Sequence, residues 1–159
     1  MKQTRIVSDL RILEEFTRKI GGDLVARVGI LGSDAGEDHD GMTNSEIGLI
    51  HEFGSESRNI PPRSFLRMPV EVRQATIVHQ MTKPRTRAKI ETGDIEGVFK
   101  DLGMAAEAVI QGAFTTRGFG KWVPNAPATV AAKGSSAPLI DTGQLRRAIT
   151  SDVVKRSKI

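Results

Sequence analysis

The sequence predicts an α+β fold. A single small domain over residues 1–159 carries a long central amphipathic helix and shorter helices packed on a small, mainly antiparallel sheet, with extended irregular arms. Three observations predict it. Ile95 to Phe114 repeats apolar residues at helical spacing over about five turns. Two short β-prone runs, Leu24–Leu31 and Ser151–Val154, lie far apart in the chain. Val, Leu, Ile and Phe make up 41 of the 159 residues, enough for one core in a chain of single-domain length.

The elements follow in chain order. Ser8 can cap a helix with Leu10, Leu13, Phe16 and Ile20 on one face, and Gly21-Gly22 stops it, since glycine takes the left-handed C′ conformation freely. Leu24 to Leu31 reads as a strand with Ala26, Val28 and Ile30 on one face. Residues 32–44 form a Gly- and Asp-rich acidic loop. Thr43-x-x-Glu46 has capping-box spacing, so a helix is expected from Asn44 to Phe53, ending at Gly54, with Ile47, Ile50 and Phe53 as its apolar positions.

Ile60-Pro61-Pro62 is an extended bend. A helix is expected from Arg63 to about Met81, striped by Leu66, Val70, Ile77 and Met81 and bent near Pro69. Thr82 to Gly93 reads as a basic turn or exposed arm. In the long helix Ile95, Val98, Phe99, Leu102, Val109, Ile110 and Ala113 trace one face, with Ala105 and Ala106 allowing close packing. Residues 115–138, punctuated by Gly118, Gly120, Pro124, Pro127, Gly134 and Pro138, read as an irregular binding or assembly arm. Asp141 and Thr142 are placed to cap a last short helix, GQLRRAI, before the β-prone tail.

Composition excludes several functions. There is no Cys, hence no disulfide, thiolate nucleophile or Cys-ligated metal. Apolar runs fall far short of the ~20 residues of a membrane span, and a charged segment follows Met1–Arg5, so cytosolic synthesis is expected. Six Phe, one Trp and no Tyr make a poor stacking platform for single strands. Charge is uneven: residues 1–57 carry 6 Lys/Arg against 11 Asp/Glu, and residues 58–159 carry 17 against 8. Such asymmetry favours head-to-tail self-association or an anionic partner on one side.

No catalytic constellation emerges. His51-Glu52 lacks the second histidine of His-Glu-x-x-His, because position 55 is Ser. With Gly41 at the sixth position of a calcium loop, the anchor positions become Gly36 and Ile47. Gly29-x-x-Gly32-Ser33 has no Gly-Lys-Ser/Thr, and no Gly-x-Ser-x-Gly elbow occurs. The expectation is a non-enzyme without cofactor or metal. Arg58 to Lys89 carries 8 Lys/Arg and one acid, Glu71, which suits either a protein neighbour or DNA phosphates through Arg58, Lys83, Arg85, Arg87 and Lys89.

Four segments together resemble one family. Asn44-Ser-Glu-Ile-Gly-Leu-Ile-His-Glu-Phe-Gly54, Ile60-Pro-Pro-Arg-Ser-Phe-Leu-Arg67 and Pro138-Leu-Ile-Asp-Thr-Gly-Gln-Leu-Arg-Arg-Ala-Ile149 look like the signatures of tailed-bacteriophage neck and tail-completion proteins. Trp122-Val-Pro124 with Thr129 and Lys133-Gly134 is similar to the segment that precedes the last of these. The resemblance implies a virion component made in the host cytoplasm. It would form a ring, a hexamer in preference to a dodecamer, beside other neck, connector and tail proteins, with DNA passing through the lumen. Interface residues are then expected among His51, Glu52, Phe53, Arg63, Phe65, Arg67, Trp122, Asp141, Thr142, Arg146 and Arg147. Phe53, Phe65 and Leu66 are expected to anchor the Pro-Pro bend on the core, while Arg63 and Arg67 reach carboxylates of a neighbour. The alternative is a small basic nucleic-acid-binding module using Arg58–Lys89.

Overall fold

The computed structural model describes residues 23–39 and 41–158; the helix expected from Ser8 to Ile20 lies outside the described residues. Strand β1 (Leu24–Ile30) pairs antiparallel with β4 (Ile149–Lys155), in a register running from Leu24↔Lys155 to Ile30↔Ile149. The 3-10 turn Gly32–Gly36 and a two-residue hairpin of β2 (Asp38–His39) and β3 (Met42–Thr43) form the acidic loop. Among the described residues seven helices follow: α1 (Asn44–Phe53), α2 (Arg67–Val72), α3 (Gln74–His79), α4 (Pro84–Thr92), α5 (Ile95–Thr115), α6 (Pro127–Lys133) and α7 (Gln144–Arg147). The fold is the expected small α+β domain around a long helix.

Helix α5 is that centre. Asp94 caps it by accepting from Gly97 N at 2.9 Å. Val98, Ala106, Ile110, Ala113 and Phe114 are buried along its inner face. The β1–β4 pair lies across it where Gly103, with no side chain, lets Ser151 and Ala26 approach. Arg27 grips Asp152 across the pair at 3.0 and 2.6 Å. Phe65, Ile110, Ala113, Phe114, Trp122, Leu145 and Ile149 form the core. Phe114 stands edge-on to both Phe65 and Trp122, with centroids 5.7 and 5.6 Å apart.

Three expectations are corrected. The helix expected from Arg63 to Met81 starts only at Arg67 and breaks at Arg73, giving α2, α3 and a 3-10 turn at Gln80–Thr82. The amides of Arg63, Phe65, Leu66 and Arg67 are already committed to α1, so residues 63–66 stay outside the helix, with a bend at Phe65–Leu66. The basic arm expected over Thr82–Gly93 is instead helix α4, opened by Pro84 and closed by left-handed Gly93 (φ 77°). It docks through polar groups: Thr86 Oγ1 and Lys89 Nζ donate to Asp101 at 2.9 and 2.7 Å. Burial works against the Asp101 charge, yet these bonds hold its carboxyl below the usual range. Within the irregular segment 115–138, α6 forms between Pro127 and Gly134 (φ 64°). Among the described residues, no helix is long and apolar enough to cross a membrane.

Candidate assembly site

The capping box at Thr43 and Glu46 starts α1: Glu46 N donates to Thr43 Oγ1 at 3.2 Å, and Thr43 N donates to the Glu46 carboxylate at 2.8 Å. The helix buries Asn44, Gly48 and Glu52 and leaves Leu49 and Phe53 exposed. Gly48 lies close under Ile30, whose side-chain tip would have to move to admit a Cβ there. Gly54 (φ 81°) then turns the chain, and Ser55 and Ile60 bridge through paired backbone bonds of 2.9 Å.

Glu52 is the centre of a staple. Its carboxylate accepts from Ser64 Oγ (2.6 Å), Phe65 N (2.8 Å), Leu66 N (2.9 Å) and Arg67 N (3.2 Å), covering the amides that open α2. Arg63 N donates to His51 O at 2.7 Å. Arg63 is buried, and its guanidinium donates from Nε to Val123 O (2.7 Å) and from Nη2 to Pro124 O (3.0 Å). Trp122 Nε1 donates to Ser64 O at 3.0 Å, which closes the loop. Three segments far apart in sequence thus form one hydrogen-bonded unit over the Phe65–Phe114–Trp122 core.

The expected roles change accordingly. Glu52, Arg63, Phe65 and Trp122 are buried within the chain, where they hold the fold together. Arg63 grips two carbonyls of its own chain instead of a neighbour's carboxylate. Phe53 does not anchor the bend: it is 62 % exposed, with Arg67 stacked 6.0 Å from its ring centre. Anchoring falls to Phe65, with Leu66 packed beside it. Asp141 caps nothing. Gly143 (φ 79°) opens α7, and Gln144 N donates to Thr142 Oγ1 at 3.3 Å. Arg146 pairs with Gln111 (2.6 Å), and Arg147 donates to Thr142 O (2.9 Å). Of the expected DNA-facing set, Arg58, Lys83, Arg85 and Arg87 are exposed, while Lys89 is spent on Asp101 and Gly97.

Beside the staple opens a cleft of about 820 Å³, bounded by α1, the Ser55–Ile60 turn and the loops around Val123 and Asp141. It brings His51, Arg63, Asp141 and Thr142 together, with Asn44 and Lys133 also in its lining. Asn44 Nδ2 donates to Asp34 O at 2.8 Å, which fixes the orientation of the amide and leaves Oδ1 buried without a partner. His51 Nδ1 is likewise buried and unpartnered. Nothing in the sequence marked Asn44, since a residue at the first helical position usually faces water. Among the described residues no three His, Asp or Glu side chains gather as a metal set.

Burial, reinforced by the positive charges of Arg63 and Lys133, pushes the His51 imidazole down to about 4. The unfolded chain, with an ordinary value near 6.5, therefore takes up a proton first as pH falls. Stability is full above pH 6.5 and is lost between 6.5 and about 4, by an amount on the order of 3 kcal/mol. Glu46, Asp101 and Asp152, held below their ordinary values, add losses only at lower pH. Thermal melts of the native chain from pH 7.5 to 4 should fall across the upper window, and melts of a His51→Gln variant should run flat there.

Comparisons with protein-family models, with curated proteins and with solved structures find no match to this chain.

Proposed function

We propose that the chain is a structural bacteriophage virion protein of the head–tail junction: a neck, tail-completion or tail-terminator subunit. It closes a homo-oligomeric ring, hexameric in preference to dodecameric, that joins the head connector to the tail and lets DNA pass. The observation that carries this reading is the convergence of the four resembling segments. His51-Glu52, Ile60–Arg67 and Trp122–Pro124 are tied into one staple, and Asp141–Leu145 lines the cleft beside it. Separate signatures that meet in one unit behave as parts of one architecture, which supports the family reading over four independent coincidences.

The second reading, a nucleic-acid-binding module, is favoured by one observation: Lys83, Arg85 and Arg87 stand exposed along α4. Electron microscopy of the purified protein tests the first reading. Closed rings with an axial hole are expected; particles that never close, at any protein concentration, would contradict it.

A further inference from the structure

Helix α4 sits at one end of the long helix, bonded to Gly97 and Asp101 in the first turns of α5. Its exposed cations Lys83, Arg85 and Arg87 make no ion pair or side-chain hydrogen bond among the described residues. The cleft sits at the other end, where its Leu145 packs in one cluster with Ile110 and Phe114. At 1.5 Å per residue the two features are separated by about 20 Å along the helix.

The cleft is rich in unspent acceptors. Asn44, 1 % exposed, keeps Oδ1 unpaired in its wall. The carboxylates of Glu56 and Asp141, both exposed, have no side-chain partner among the described residues. The cleft's own cations do not serve them: Arg63 is bonded to Val123 O and Pro124 O, and Lys133 to Ala137 O at 3.0 Å. A phosphodiester brings no donors and would meet carboxylates and a carbonyl oxygen. A guanidinium brings five donors in a fixed fork.

We propose that the cleft receives the Lys83–Arg87 corner of a second copy of this chain, Arg85 and Arg87 meeting Glu56 and Asp141. The proposal rests on the ring reading and supplies the charged part of its contact. Because the two surfaces differ and lie at opposite ends, the contact is heterologous and repeats from copy to copy, closing a ring when the rotation allows. Rim ion pairs of this kind set orientation and association rate more than affinity.

The absence of cysteine makes a clean test. Cysteines replace Arg85 and Asp141 in one chain (R85C/D141C), both at exposed positions, and a short bismaleimide is added. The double variant is expected to give a ladder beyond the dimer, while mixed single variants give only dimers and each single variant alone gives none. Glu56→Lys on the cleft should cut the link at least tenfold, and Arg87→Glu on the donating copy should restore it. A link yield no higher than that of a Met104→Cys control, or equal linking by one single variant alone, would overturn the contact. If the unaltered protein still forms rings, the ring stands without this contact; if it forms none, both fall.

Discussion

Replacing Glu52 by Gln is expected to lower stability by about 3 kcal/mol, through loss of the charged acceptor that four donors share. Gln keeps the shape but offers one accepting oxygen. Its amide group must then face either Phe65 N and Leu66 N or Ser64 Oγ and Arg67 N, and buried donors are left unpaired. In a chain of this size the melting temperature should drop by roughly 10 °C. The start of α2 should fray first, since the carboxylate covers its opening amides. A Glu52→Gln variant melting within a degree of the native chain would remove the carboxylate from its central place.

Replacing Arg63 by Ala should cost about as much, roughly 2–3 kcal/mol, because Val123 O and Pro124 O lose their donors and the guanidinium's packing goes with them. Trp122 reports the change directly: it is the sole tryptophan, buried against Phe114, and joined to Ser64 O beside Arg63. Its emission should shift to the red in Arg63→Ala as the strap loosens, while the helical signal from α5 persists. Lys at position 63 should recover less than half of the loss, since a point charge cannot fork to two successive carbonyls. Unchanged emission and melting in Arg63→Ala would return the residue to a role at an interface.

What was legible in the sequence is what hydrophobic periodicity and capping chemistry encode. Helix α5, the β1 strand, the Thr43–Glu46 capping box and the Asn44–Phe53 helix all follow from spacing. Helix α4 escaped because polar bonds to Asp101, and not an apolar stripe, hold it down. The non-helical Arg63–Leu66 segment escaped because its conformation is imposed by Glu52 and His51, residues that local propensity does not see. Phe53 and Glu52 exchanged the places that hydrophobicity assigned them: the carboxylate went inward because four donors awaited it, and the ring stayed out. The motif residues His51, Glu52, Arg63 and Trp122, expected at a subunit interface, lie in one hydrogen-bonded unit within the chain. Their physical task, tying three segments into one unit, needed the hydrogen bonds to become visible.

The ring is tested most directly by the mass of the purified protein in solution, measured by light scattering at low and high salt, alone and with duplex DNA. The expected result is a species of roughly six subunits that survives high salt, as apolar and mixed contacts around a closed ring should. A monomer that takes up duplex DNA tightly and releases it steeply as salt rises would contradict it, and would make the α4 cations a phosphate-binding surface.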